Sequence, residues 1–316
     1  MSDHMDKSDV NLMRAVRYHA FGEAEVLHVE SIPIPQPQEG EVLVRVYAAG
    51  ILPVDWKIRR GLFPMPIQFP HIPGTAFAGV IEAVGTGVST WQIGDPVFGR
   101  STKGTYAEFT TAPEDAIARK PASISYEEAA TLSGGATTAW RAIISEGQVK
   151  PNERVLIHGA AGGVGMFAVQ FAKWMGAEVI GTAGPTNGSY VESLGADKVI
   201  DYSSERFEDI VEDVDFVLDT VSGDTLARTW SVMKQGGRLA SIAGQPPLEK
   251  AKQHGITLIR PGIATKDDLK AIAELIDEGK LTIHIEQSFT MADVRQAHEK
   301  SQTGHGRGRI VLRMID

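Results

Sequence analysis

Apolar positions along this chain follow two different periods. From residue 154 onward, short apolar or weakly polar runs recur at Val155–His158, Glu178–Thr182, Lys198–Asp201, Phe216–Asp219, Arg238–Ile242 and Ile256–Ile259, and each reads as a buried strand. Between them the spacing turns helical: Val164, Phe167, Ala168, Phe171, Ala172 and Met175 recur every three or four residues, and Tyr190–Leu194 and Thr225–Lys234 have helical character. Strands alternating with helices predict an α/β doubly wound parallel sheet. Upstream the texture differs. MRAVRY, EVLVRVYAAG, FAGVIEAVG and GTYAEFTTA are β-like runs punctuated by Gly and Pro, as in a small β-rich domain, and Ile32–Gly40 reads as a proline-stiffened connector. Tyr126–Leu132 and Ala136–Ser145 read as helices leading into the α/β part. Beyond it the pattern predicts an amphipathic helix at Lys266–Glu278, a strand at Leu281–Glu286, a helix at Met291–Thr303 and a strand at Arg309–Leu312. The expected divisions are 12–132 and 263–316 for a split β-rich catalytic domain and 133–262 for the α/β insert, with a cleft between the two bodies.

The first of the six strands runs into Gly159, Gly162 and Gly165, three apart, and then into a helix. Such a turn leaves room for a pyrophosphate and points the N–H groups of Ala161, Gly162, Gly163 and Val164 at it, although a glycine triplet is also an ordinary tight turn. In a Rossmann sheet of this kind, ligands lie at the carboxyl ends of the strands. That places Thr182, Ala183, Tyr202, Thr220, Val221, Ala243 and Gly244 beside a dinucleotide.

Composition narrows the chemistry. A chain of 316 residues with 42% hydrophobic content exceeds the size of a single core, so two domains are expected. With 31 basic against 40 acidic residues, the net charge of -9 disfavours a nucleic-acid or anionic-membrane surface and favours a small-molecule partner. There are no cysteines, and the nine histidines include no i, i+4 pair, so no metal is expected. Residues 1–11 lack the apolar core of a signal peptide and no apolar run is long enough to span a membrane, which together predict a cytoplasmic protein.

Several ordered motifs, namely MRAVRYHAFG, PVDWKIRRG, HIPGTAFAGVIEAVG, VLIHGAAGGVG, LGADKVIDY and GRGRIVL, resemble the medium-chain dehydrogenase/reductase superfamily in its zinc-free, zeta-crystallin-like quinone oxidoreductase branch, over nearly the whole chain from Met13. The resemblance implies a GroES-like β domain carrying the Rossmann insert, a bound nicotinamide dinucleotide and a homodimer through the nucleotide-sheet edges. It also implies that Thr138 and the segment Ile242, Ala243, Gly244 lie near the nicotinamide. Where zinc-dependent relatives place Cys, His and Glu ligands, this chain has Leu52, Thr75 and Ala76. The zinc-free branch usually has asparagine at the first of these positions and an acid at the third, so this chain departs from its own branch there.

NAD-preferring sites carry an acid at the end of the second strand, whereas here Gly181, Thr182, Ala183 and Gly184 are uncharged. An uncharged end leaves space for a 2′-phosphate, with Thr182, Asn187, Ser189 and Tyr202 as hydrogen-bond donors, and so predicts NADPH. No Lys or Arg lies between Gly181 and Asp197, so by resemblance the charge partner is Lys198 or the tail arginines Arg307 and Arg309. The expected reaction is hydride transfer to a quinone or enone, which builds negative charge on the carbonyl oxygen. Lys57 is the candidate cation and Asp55 its companion; they share a side in an extended turn and part company in a helix, and Lys57 is equally a surface lysine. The alternatives are an enoyl-thioester reductase and, from another class, a non-catalytic NADPH-binding sensor, structural protein or RNA binder.

Overall fold

The computed structural model describes residues 11–315; the polar residues 1–10 lie outside them. One sheet has six parallel strands in the spatial order Lys198–Asp201, Glu178–Ala183, Arg154–His158, Val214–Asp219, Met233–Ser241 and Thr257–Ile259. The strand order reverses between Arg154–His158 and Val214–Asp219, and a crevice opens beyond the carboxyl ends at such a switch point. Val155, Leu156 and Ile157 are wholly buried, as a central strand covered on both faces requires.

The second sheet has seven strands: Ile285–Thr290, Arg309–Arg313, Glu41–Ile51, Ala76–Val84, Pro96–Arg100 and Ile117–Arg119 in sequence across it, with Phe109–Pro113 also paired to Glu41–Ile51. The long strand Glu41–Ile51 holds three partners because register shifts at Leu43/Val44 and Val46/Ala48 bend it between them. Leu12–Arg17 and His28–Pro33 form a separate hairpin, so Ile32 and Pro33 of the expected connector belong to a strand. One apolar cluster runs from Ala48, Ala78 and Phe98 of this sheet, through Leu132 and Trp140, to Ile157 of the other and Phe171 of the helix that follows it. The two sheets thus share a core behind the cleft. No helix among the described residues is long and apolar enough to cross a membrane.

Two expectations shift. The strand expected at Leu281–Glu286 is found at Ile285–Thr290, because the Gln170 amide takes both backbone groups of Thr282, at 2.7 and 3.0 Å, and the ladder starts only opposite Arg309. The helix Thr225–Lys234 is Gly223–Thr229 followed by a single tight turn, since Met233 is already extended and pairs with Val214. The helices expected at Tyr126–Leu132 and Ala136–Ser145 are separated at Ser133 and Gly134, where Gly134 takes φ +78°. Gly134 packs against Leu52, so a side chain there meets Leu52 within 2.8 Å.

Candidate active site

The glycine turn is covered by the tail of the chain. Gly159 takes φ +71°, and Gly165 packs so tightly that an added Cβ would lie 2.2 Å from the Gly159 carbonyl oxygen. The Gly162 N–H donates to Gly159, at 3.0 Å, so it is not free for a ligand as expected. Gly162 pairs with Gly308 in a parallel bridge, which turns the Gly163 N–H to the Gly308 carbonyl, so it too is engaged; those of Ala161 and Val164 donate to no described residue, and they precede the helix Gly165–Trp174. Gly308 N–H donates to the Ala161 carbonyl at 2.8 Å, bringing Arg309 over Gly163, where a Cβ would meet its Cδ at 2.4 Å. Arg309 is 4% exposed, yet Nε and Nη2 have no hydrogen-bond partner. Burial pulls its pKa down to about 10, with Asp55 and then Tyr106 opposing the shift, so it stays a cation at neutral pH.

At the end of the second strand the same tail supplies Arg307. Its Nε donates to the Asn187 side-chain oxygen at 3.1 Å, its Nη2 to the Thr186 carbonyl at 3.0 Å, and its guanidinium lies 4.8 Å from the Tyr190 ring centroid. Tyr202 is exposed beside Gly184. Two expectations change here. The Thr182 hydroxyl is buried, accepting from Gly159 N–H and lying 3.3 Å from His158 Nδ1, so it does not face a ribose. Lys198 begins its strand opposite Ile180, three residues or about 10 Å short of the strand's end.

Across the switch point, Asp219 was not anticipated. Wholly buried at a strand end, it accepts from Val221 N–H at 3.0 Å, Ser222 N–H at 2.8 Å and the Ser241 hydroxyl at 2.7 Å. It thereby ties the two loops carrying Thr220–Val221 and Ile242–Gly244 together. Thr220 donates to the His158 carbonyl, Val221 and Ile242 are exposed, and a side chain at Gly244 would strike Ser222. The only sequence signal was an acid closing an apolar run.

On the facing side, Pro53–Arg59 is a short helix, which separates Asp55 from Lys57 by about 200°. Asp55 is 3% exposed and caps the helix by accepting from Leu52 N–H at 2.8 Å; it also accepts from the Tyr106 hydroxyl at 2.8 Å. Desolvation pushes its pKa up to about 6, against these two hydrogen bonds and the charge of Arg309. Burial and Asp55 raise that of Tyr106 well above the ordinary value, so Tyr106 remains the donor. Lys57 Nζ instead lies 5.6 Å from the Trp56 ring centroid.

A pocket of about 180 Å³ sits beside the Ser133–Gly134 break, lined by Thr75, Arg100, Ser133, Thr138 and the segment Gly262–Ala264; Lys57 does not line it. Thr138 donates to the Gly134 carbonyl and Thr137 accepts from Gly134 N–H, whereas the Thr75 and Ser133 hydroxyls bond no described residue. Arg100 and Ser133 escaped the sequence reading, since nothing local distinguishes them. Among the described residues no three His, Cys, Asp or Glu side chains gather as metal ligands.

Residues 38–122 match the family model of the alcohol dehydrogenase GroES-like domain, and residues 194–312 that of a zinc-binding dehydrogenase. The chain is 33% identical to the quinone oxidoreductase of Mus musculus, covering 95% of this chain and 98% of that protein. Among solved structures, the quinone oxidoreductase of Coxiella burnetii superposes with a TM-score of 0.91 at 32% identity, covering 96% of this chain and 100% of that one. The Escherichia coli quinone oxidoreductase, complexed with NADPH, gives 0.86 at 30% identity, covering 95% and 100%. Sharing two sheets and a third of its residues with these proteins over almost its full length, the chain belongs to the quinone oxidoreductase branch of the medium-chain dehydrogenase/reductase superfamily.

Proposed function

We propose that this chain reduces small quinones or α,β-unsaturated carbonyls with NADPH, without zinc, in the cleft between its two sheets. The observation that carries this reading is the placement of the tail arginines, Arg307 against Asn187 and Arg309 buried under the glycine turn with two unpartnered nitrogens. A 2′-phosphate and a pyrophosphate are anions suited to those two positions. The likeness to a quinone oxidoreductase solved with NADPH supports the same choice.

When bound, NADPH supplies the hydride. Arg309 and the free N–H groups of Ala161 and Val164 hold its pyrophosphate; Arg307, Asn187 and Tyr202 hold its adenosine end. Thr220 and Val221, with Ile242, Ala243 and Gly244, form the walls that Asp219 fixes, and Thr138 borders the nicotinamide end. The Thr75 and Ser133 hydroxyls are the uncommitted donors for the oxygen that gains negative charge, a role the position of Lys57 does not favour. Asp55 acts as a positioning residue through Leu52 and Tyr106. Leu52, Thr75 and Ala76 offer one hydroxyl among them, a poor donor set for a divalent metal. A homodimer through the open edge of Thr257–Ile259 completes the proposal.

The test follows NADPH oxidation against small quinones and enones, with NADH and a crotonyl thioester in parallel. Turnover of quinones or enones supports the reading, faster turnover of the thioester transfers it to an enoyl-thioester reductase, and NADPH binding without turnover leaves a non-catalytic binder. Replacing Arg307 with Ala is expected to raise the KM for NADPH about tenfold, the loss of one charge-assisted hydrogen bond, and to leave that for NADH unchanged. An equal effect on both cofactors removes Arg307 from the 2′-phosphate.

A further inference from the structure

Resting on that reading of the pocket, we propose that its substrate carries a carboxylate, which Arg100 binds. Arg100 closes the strand Pro96–Arg100 and lines the pocket beside Thr75 and Thr138. Every other arginine between residues 11 and 122 reaches a carboxylate: Arg14 that of Glu108, Arg17 that of Glu30, Arg45 that of Glu82, Arg59 and Arg60 that of Glu23, and Arg119 that of Asp95. The Arg100 side chain makes no hydrogen bond or ion pair with any described residue, although it is half-buried.

The ladder explains why it has none. Directly across from Arg100 stands Ala76, whose methyl group cannot pair with a guanidinium, and on the other side its backbone N–H meets the Ala116 carbonyl at 3.1 Å. Side chains opposite one another in an antiparallel pair share a face, so an acid at position 76 would be the natural partner, and alanine leaves the charge to the pocket. The lining contains no acidic residue, in a chain with 40 of them. A half-desolvated guanidinium presents a planar fork of donors that matches a carboxylate bidentately. The pocket, about 180 Å³, has room for a small acid bearing a conjugated carbonyl.

The experiment compares an acid with its uncharged ester. In steady-state assays with NADPH, 4-oxopent-2-enoate is expected to exceed its methyl ester at least tenfold in kcat/KM. Titration calorimetry of the NADP⁺-loaded protein with the saturated 4-oxopentanoate and its methyl ester is expected to give the same preference in Kd. In Arg100→Met both ratios fall toward one, and in Arg100→Lys they are partly kept. Equal binding of acid and ester by the unaltered protein overturns the proposal without need of any variant, as does a preference that survives Arg100→Met. Should the acid bind preferentially through Arg100 with no turnover of either compound, the carboxylate site stands and the enone half of the reductase reading falls.

Discussion

Two buried arginines flank the Asp55–Tyr106 pair, and they are opposites. Arg59, wholly buried, donates to the Gln302 side-chain oxygen at 2.8 Å, contacts His298 Nδ1 at 3.4 Å and lies 3.6 Å from Glu23. Burial and the adjacent charge of Arg59 depress His298 to about 3, so it meets the guanidinium as a neutral acceptor. Tyr106 packs edge-on against His298 from the other side. Arg309 is as deeply placed, but none of its guanidinium nitrogens donates to a described residue. A buried charge with partners belongs to the architecture, because removing it strands those partners. A buried charge without them already bears the desolvation cost that an arriving anion would repay.

The comparison breaks most visibly at Arg59. Arg59→Met is expected to cost about 3 kcal/mol of stability in chemical denaturation, since Gln302 and Glu23 lose their cation. A change within experimental error would mean that the two arginines do not differ in kind. The next test concerns the carboxylate between them. Because its pKa is raised to about 6, folded Asp55 holds its proton more tightly than unfolded Asp55, so its contribution to stability is greatest below pH 4 and declines as the pH climbs to 6. Measured against Asp55→Asn across that window, the wild type should lose up to about 3 kcal/mol, and parallel pH profiles would contradict the raised value. Arg309→Met should leave thermal stability equal or slightly higher while weakening NADPH binding about tenfold or more; a destabilised variant with intact affinity would make Arg309 structural. The smallest effect is expected from Lys57→Ala, below about twofold in kcat/KM, as a lysine resting on Trp56 outside the pocket has little to lose. A large fall in kcat would return the oxygen chemistry to Lys57.

The two ends of the cleft were unequally legible in the sequence. The glycine turn and the alternating strands depend on local spacing, and both stand where the pattern put them. Thr182 was misread because strand alternation does not reveal that its hydroxyl turns inward to Gly159 and His158. The strand shift to Ile285 came from a side chain more than a hundred residues away, Gln170, which no window on residues 281–286 contains. Asp55 was read as a companion of Lys57 because the phase of Pro53–Arg59 was undecided, and the helix settled it. Arg100 was invisible for a related reason: its unpaired state depends on which residue lies opposite in the ladder, a fact of register rather than of neighbourhood in the chain.

The union of Gly308 with Ala161 has a consequence for the order of events during synthesis. The glycine turn leaves the ribosome long before Arg307 and Arg309, on the order of ten seconds at ordinary elongation rates. The parallel sheet has all six strands by residue 259, yet the cation over its glycine turn, Arg309, and the one at the end of its second strand, Arg307, arrive afterwards, on one short run threaded through Gly306 and Gly308. On the proposed role of the tail arginines, the complete nucleotide site therefore forms only after the last strand has docked.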